Sequence, residues 1–227
     1  MREIVFDTET TGLDPQSGDR MVEIGCLELV NRVPTGRTFH AYFNPDRPMP
    51  HAAEQVHGLS DAFLADKKRF HEHALELIEF LADSPLVAHN AQFDFGFLNY
   101  EFTVCGHSQV GLERMIDTLV LARRRHPGAK HSLDALCTRY GVDRSHRVRH
   151  GALLDAELLA QVYVELTGGR QIGLALAAET AQTLIEINAF RPRQREFRAP
   201  RPHLASPEEL ARHKAFLESL DSPLWAL

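Results

Sequence analysis

Residues 3–9, Glu3-Ile4-Val5-Phe6-Asp7-Thr8-Glu9, constrain this chain more than any other stretch. The apolar run Ile4-Val5-Phe6 reads as a core strand, and it ends on two acids followed by the turn-rich Thr10-Thr11-Gly12-Leu13-Asp14-Pro15. In a strand Asp7 and Glu9 project from one face, about 6.6 Å apart along the chain. Two like charges at the inner end of a core strand are costly unless a cation compensates them. Taken alone, the pair also has a plainer reading as a solvated strand end.

Residues 20–30 (RMVEIGCLELV) and 36–43 (GRTFHAYF) read as the next two strands, and the short connections predict an antiparallel meander. A helix is expected around 70–82, then a short strand at 85–88, a helix starting near Ala91 and a strand around 112–117. Helices are expected at about 118–125, 131–140 and 152–167. Three strands followed by alternating helices and strands predict an α/β fold, a mixed sheet with helices on its faces.

The character changes after Thr167-Gly168-Gly169. Residues 191–202 (RPRQREFRAPRP) carry five Arg and three Pro, which is linker composition. Ser206-Pro207-Glu208-Glu209 is a helix start, with Leu210, His213, Leu217 and Leu220 following at helical spacing. That amphipathic helix is too short to fold alone and needs something to dock on. The chain thus divides into 1–168, a linker over 169–202 and a docking segment over 203–227.

Charge is informative once divided. Residues 1–168 hold 17 Lys+Arg against 24 Asp+Glu, a balance of −7, and residues 169–227 hold 8 against 7, a balance of +1. An acidic domain is a poor nonspecific binder of polyanions, so action on nucleic acid requires cations in the site and a local basic strip. Arg147 and Arg149 are candidates for that strip; Arg123-Arg124-Arg125 reads better as solvated surface. Cys26, Cys105 and Cys137 form no CxxC pair, which argues against a disulfide framework or a zinc site. No apolar run approaches the roughly 20 residues that span a bilayer, and the N-terminus lacks a signal-peptide pattern. The expectation is a cytoplasmic protein with no membrane partner.

Further acids point inward. Asp94, in the first turn of a helix after His89-Asn90, shares an i, i+4, i+8 row with Leu98 and Phe102. Asp155 heads the row Leu159, Val162, Leu166. An acid near a helix N-terminus is ordinarily a favourable placement, but that does not explain the inward direction. His150 lies five residues before Asp155, on a loop from which it could swing over a site. Four carboxylates from three segments suit Mg²⁺ or Mn²⁺. Two such ions can hold the attacking and leaving oxygens of a phosphoryl displacement, with His150 taking the proton of the attacking water.

The runs FDTETTGL (6–13), HNAQFDFGFL (89–98) and HGALLDAELLAQVY (150–163) resemble the three motifs of the DEDDh family of 3′→5′ exonucleases. The resemblance spans essentially residues 1–170. It implies an RNase H-like fold with a five-stranded mixed sheet, two metal ions on Asp7, Glu9, Asp94 and Asp155, and His150 as general base. It further implies that Thr10, Gly12, Leu13 and Asn90 meet the 3′ end of single-stranded DNA, with His57 of VHGL near the terminal nucleotide. Where relatives often carry a Glu five residues before this histidine, this chain has Ala52, with Glu54 displaced. Gln171, Leu174 and Leu176 are similar to a sliding-clamp-binding peptide. The tail bearing Leu210, Leu217 and Trp225 is similar to one that docks on the catalytic (alpha) subunit of a replicative polymerase. The implied function is proofreading of DNA synthesis. The alternatives are RNase T-like trimming of RNA 3′ ends and a purely structural, polymerase-stabilising subunit.

Overall fold

The computed structural model describes residues 1–145, 149–168 and 204–220. Strands β1 (Arg2–Thr10), β2 (Met21–Val30) and β3 (Val33–Tyr42) form the expected antiparallel meander. Strand β3 begins at Val33 rather than near 36. Val30 pairs directly with Val33 across a two-residue turn in which Asn31 and Arg32 both take left-handed φ values, 51° and 65°, the geometry that matches the twist of a hairpin. Pro34 is tolerated because β3 is an edge strand.

Strand β4 (Leu86–Ala88) lies parallel to β1, and β5 (Met115–Asp117) parallel to β4, giving a five-stranded mixed sheet of order β3-β2-β1-β4-β5. The expected strand at 112–117 is shorter than anticipated, because Leu112–Arg114 form a 3₁₀ turn.

Helices α1 (His51–His57) and α2 (Asp61–Leu64) were not expected. His57 is the one buried residue of α1, so no apolar stripe marks it in the sequence. Helices α3 (Phe70–Leu81) and α4 (Gln92–Val104) cover one face of the sheet; α7 (Ala152–Leu166), backed by α5 (Thr118–Arg125) and α6 (Leu133–Tyr140), covers the other. Helix α8 (Pro207–Glu218) is described by itself. Ser206 accepts from the Glu209 N–H, and the Glu209 carboxylate accepts from the Ser206 N–H at 2.8 Å, a full capping box.

Candidate active site

Strand β1 sorts its side chains between the two helical layers. Ile4 and Phe6 pack with α3 and α4, whereas Val5 packs with Leu159, Ala160 and Tyr163 of α7. Alternation therefore sends Asp7 and Glu9 to the α7 face and Thr8 to the α4 face. Asp94, in the first turn of α4, meets Thr8: the threonine hydroxyl donates to Asp94 Oδ1 at 2.7 Å, fully buried. Asp155, in the first turn of α7, is buried on the side of Asp7 and Glu9.

All four acids and His150 line one cleft of about 270 Å³, together with Thr8, His89, Asn90, Phe93, Ser132 and Leu133. Glu9, His150 and Asp155 are the tightest group, each offering a ligand atom within 4.8 Å of the others.

A mid-strand glycine permits this convergence. Gly25 is the partner of Asp7 across β1 and β2. A Cβ at Gly25 would fall well inside 3.0 Å of Leu153 N, Leu153 Cα and the Ala152 carbonyl carbon. The first turn of α7 thus rests directly on the strand backbone, which carries Asp155 to the acids of β1.

Burial pushes the Asp94 carboxyl up to about 7 against the opposing pull of the Thr8 hydrogen bond, and Asp117 nearby raises it further. Hard carboxylate oxygens from three segments, one of them destabilised as an isolated anion, fit a divalent cation. His150 Nδ1 stands 3.1 Å from Asp155 Oδ2. An ionised carboxylate can only accept, so the neutral imidazole carries its proton on Nδ1 and presents Nε2 as its basic nitrogen. The His150 N–H lies 3.4 Å from Val56 O, and the Arg149 side chain lies over Gly58, so this segment rests on the end of α1.

The remaining expected residues surround the cleft. Asn90 lines it in a left-handed conformation (φ 64°), its N–H donating to Asp117 Oδ1 at 3.1 Å. Thr10 is buried, and its hydroxyl donates to Gly12 O at 2.6 Å. Leu13 is 84% exposed. His57 accepts from the Leu59 N–H at its Nδ1, 3.0 Å away, which puts the proton on Nε2. That Nε2–H is buried, and its partner is the Thr10 backbone carbonyl, a hydrogen bond weak enough to fall outside strict geometry. Ala52 is exposed on α1, and Glu54 is half-buried.

Thr8, Asp117 and Gly25 were not anticipated. Thr8 stands between two recognised acids, Asp117 both caps α5 and holds Asn90, and Gly25 interrupts an apolar strand, a pattern that signals close backbone approach. Arg123, Arg124 and Arg125 are exposed as expected, with Arg125 donating to Leu166 O at the end of α7. Leu210 is 56% exposed and Leu217 is buried. Arg147, Gln171, Leu174, Leu176 and Trp225 lie outside the described residues.

Comparison with known proteins is consistent with this geometry. The model of the exonuclease family matches residues 4–163. The chain belongs to the exonuclease family. The DNA polymerase III subunit epsilon of Rickettsia felis is 48% identical over 226 residues, covering 97% of each chain, and that of Escherichia coli K12 is 43% identical over 225 residues, covering 96% of this chain and 92% of the relative. Among solved structures, Exonuclease X in complex with 5′-overhanging duplex DNA shares 27% identity at a TM-score of 0.57, covering 73% of this chain and 90% of the other. The nuclease domain of 3′hExo, a DEDDh family member, shares the fold at 16% identity and a TM-score of 0.63, over 73% of this chain and 91% of the other. Exonucleases of the DEDDh type depend on divalent metal. No helix among the described residues of this exonuclease is long and apolar enough to cross a membrane.

Proposed function

We propose that this exonuclease proofreads DNA synthesis as the epsilon subunit of a bacterial DNA polymerase III, releasing nucleoside 5′-monophosphates from a single-stranded 3′ end. The convergence of acids from β1, α4 and α7 in one cleft carries the catalytic half of this reading. The near full-length likeness to epsilon subunits carries the other half.

Asp7, Glu9, Asp94 and Asp155 would hold two Mg²⁺ or Mn²⁺ ions. When bound, these supply Lewis-acid stabilisation of the phosphoryl oxygens and lower the pKa of water. His150, its Nδ1 proton committed to Asp155, takes the proton of the attacking water at Nε2. Thr10, Gly12, Leu13 and Asn90 hold the 3′-terminal nucleotide. The buried Nε2–H of His57, which meets the Thr10 carbonyl only outside good hydrogen-bond geometry, supports a contact with a phosphate or sugar oxygen there, because a poorly satisfied buried donor gains from a better acceptor.

Residues 1–168 form the nuclease domain, 169–202 a linker that engages the sliding clamp through Gln171, Leu174 and Leu176, and 203–227 the segment that docks on the DNA polymerase III alpha subunit through Leu210, Leu217 and Trp225. The well-capped α8 supports a preformed docking element.

The test is hydrolysis of 5′-labelled single-stranded DNA with and without Mg²⁺ or Mn²⁺, run beside an RNA of the same sequence. Metal-dependent stepwise shortening of the DNA is expected, and Asp7→Ala with Glu9→Ala abolishes it. A strong preference for RNA would overturn the proofreading reading. Deleting 203–227 should abolish co-elution with the alpha subunit while sparing hydrolysis; retained co-elution refutes the docking assignment.

A further inference from the structure

The loop joining β1 to β2 leaves the sheet directly after Glu9 and Thr10 and carries Gly12 and Leu13. The Asp14 carboxylate caps its 3₁₀ turn and Thr11 bonds Arg20 across its base, while the carboxylate of Asp19 ties its two arms together. Asp19 Oδ1 accepts from the Thr11 hydroxyl at 3.3 Å, and Asp19 Oδ2 accepts from the Asp14 N–H at 3.2 Å. Arg47 donates to Asp19 Oδ1 at 2.8 Å and also to Gly18 O, so the charge is balanced from outside the loop. The carboxylate sits where a side chain on Gly12 would be: a Cβ there would overlap all three atoms of the Asp19 carboxyl.

The end of the loop is anchored separately. Arg20 makes a bidentate ion pair with Glu101, Nε to Oε1 at 2.8 Å and a terminal nitrogen to Oε2 at 2.7 Å. Glu101 is wholly buried two helical turns beyond Asp94 on α4. The loop is therefore built in advance on the same helix that supplies an acid to the cleft, and it holds the large apolar Leu13 out in solvent.

We infer that Asp19 is a positioning residue for the 3′-terminal nucleotide: seated against Gly12 and balanced by Arg47, it fixes the loop so that Leu13 projects toward the terminal base. This rests on the assignment of Leu13 to substrate contact. The hydrogen bonds of the Asp19 carboxylate run to Thr11, Asp14 and Arg47, so its removal should weaken capture of the 3′ end more than it slows hydrolysis. A preformed contact lowers the ordering cost of binding, and that cost is expressed in KM when chemistry is unaltered.

The experiment measures kcat and KM for single-stranded DNA at saturating Mg²⁺ on the full chain, well below each variant's own melting midpoint, for Leu13→Ala, Asp19→Ala, Asp19→Asn, Gly12→Ala and the pair Gly12→Ala with Asp19→Ala. Leu13→Ala and Asp19→Ala should each raise KM by about tenfold with kcat within about threefold of wild type. Asp19→Asn, which keeps an acceptor oxygen but loses the charge facing Arg47, should fall between. Gly12→Ala on its own should reproduce Asp19→Ala, and adding it to Asp19→Ala should cost nothing further, because the space it needs has been vacated. An unchanged KM in Leu13→Ala refutes the substrate assignment itself. A raised KM there with an unchanged KM in Asp19→Ala refutes the positioning role alone, as does an equal fall of kcat with KM unmoved.

Discussion

Gly25→Ala adds one methyl group on the strand backbone opposite Asp7, where it touches no substrate, yet it should damage catalysis. The new Cβ would lie inside 3.0 Å of three backbone atoms of Ala152 and Leu153, where ordinary contact begins at 3.4 Å. Backbone cannot rotate aside as a side chain can. Helix α7 must therefore retreat by about 1 Å at its first turn, or β2 must bow away from it, to restore normal contact. Overpacking of this kind costs about 1–3 kcal/mol. For a domain of this size that lowers Tm by roughly 2–12 °C.

The functional consequence is larger in proportion. Asp155 sits two residues beyond Leu153, and a misplacement of about 1 Å in a catalytic constellation costs on the order of 10²-fold in rate. Gly25→Ala should therefore lose about 10²-fold in kcat for single-stranded DNA while remaining folded at the assay temperature. Gly96→Ala is the control: Gly96 is exposed on the outer side of α4, and a Cβ there meets nothing within 4 Å. It should keep full activity and gain about 0.5–1 kcal/mol of stability from lowered backbone entropy. Wild-type kcat in Gly25→Ala would show that the approach of α7 to β2 does not set the site.

Three further outcomes follow from the same coordinates. With metal chelated, Asp94 at about 7, against an ordinary 3.8, makes the native state bind its proton more tightly than the unfolded chain, so stability falls as pH rises between those values. The full span is worth on the order of 4 kcal/mol. The chelated protein should thus melt lower at pH 8 than at pH 6, Asp94→Asn should flatten that slope, and saturating divalent ion should abolish it; a flat chelated profile in the wild type refutes the argument. Glu101→Ala strands Arg20, whose side chain is 27% exposed, and should cost about 3 kcal/mol, or roughly 6–12 °C in Tm; a shift under about 2 °C counts against a structural ion pair. His150→Ala should lose about 10²–10⁴-fold in kcat with circular dichroism unchanged, and wild-type turnover would mean that another group takes the proton.

The parts of this molecule written in local periodicity were legible in the sequence. The DxE pair sits at the end of an apolar strand, and both inward acids head rows of buried residues, Leu98 and Phe102 for one, Leu159, Val162 and Leu166 for the other. Periodicity gives the face of an element but not the layer on which that element lands. It could not reveal that Asp94 approaches β1 from the side opposite Asp7 and Glu9, and hence that Thr8, pointing away from its acidic neighbours, is the residue that holds it. Helix α1 carries no apolar stripe because its burial is concentrated in His57, whose buried Nε2 no sequence pattern announces. The tight Asn31-Arg32 turn was missed because its second position lacks the glycine that usually announces such a turn.

These two approaches give the cleft its physical character. The core under α3 and α4 and the core under α7 share no buried residue; they meet only through strands whose alternate side chains serve one or the other. Asp94 is positioned by the first core, Asp155 by the second, and β1 ends between them. Each layer packs its own acid into place but gains nothing from the other's anion, and like charges oppose the approach wherever both are ionised. A divalent cation held by Asp94 and Asp155 together would supply an attraction between the two, and its binding free energy would then add to the stability of the fold by mass action. The acids whose convergence is opposed by charge are thus the ones through which the stability of the fold and the reaction would come to depend on the same ion.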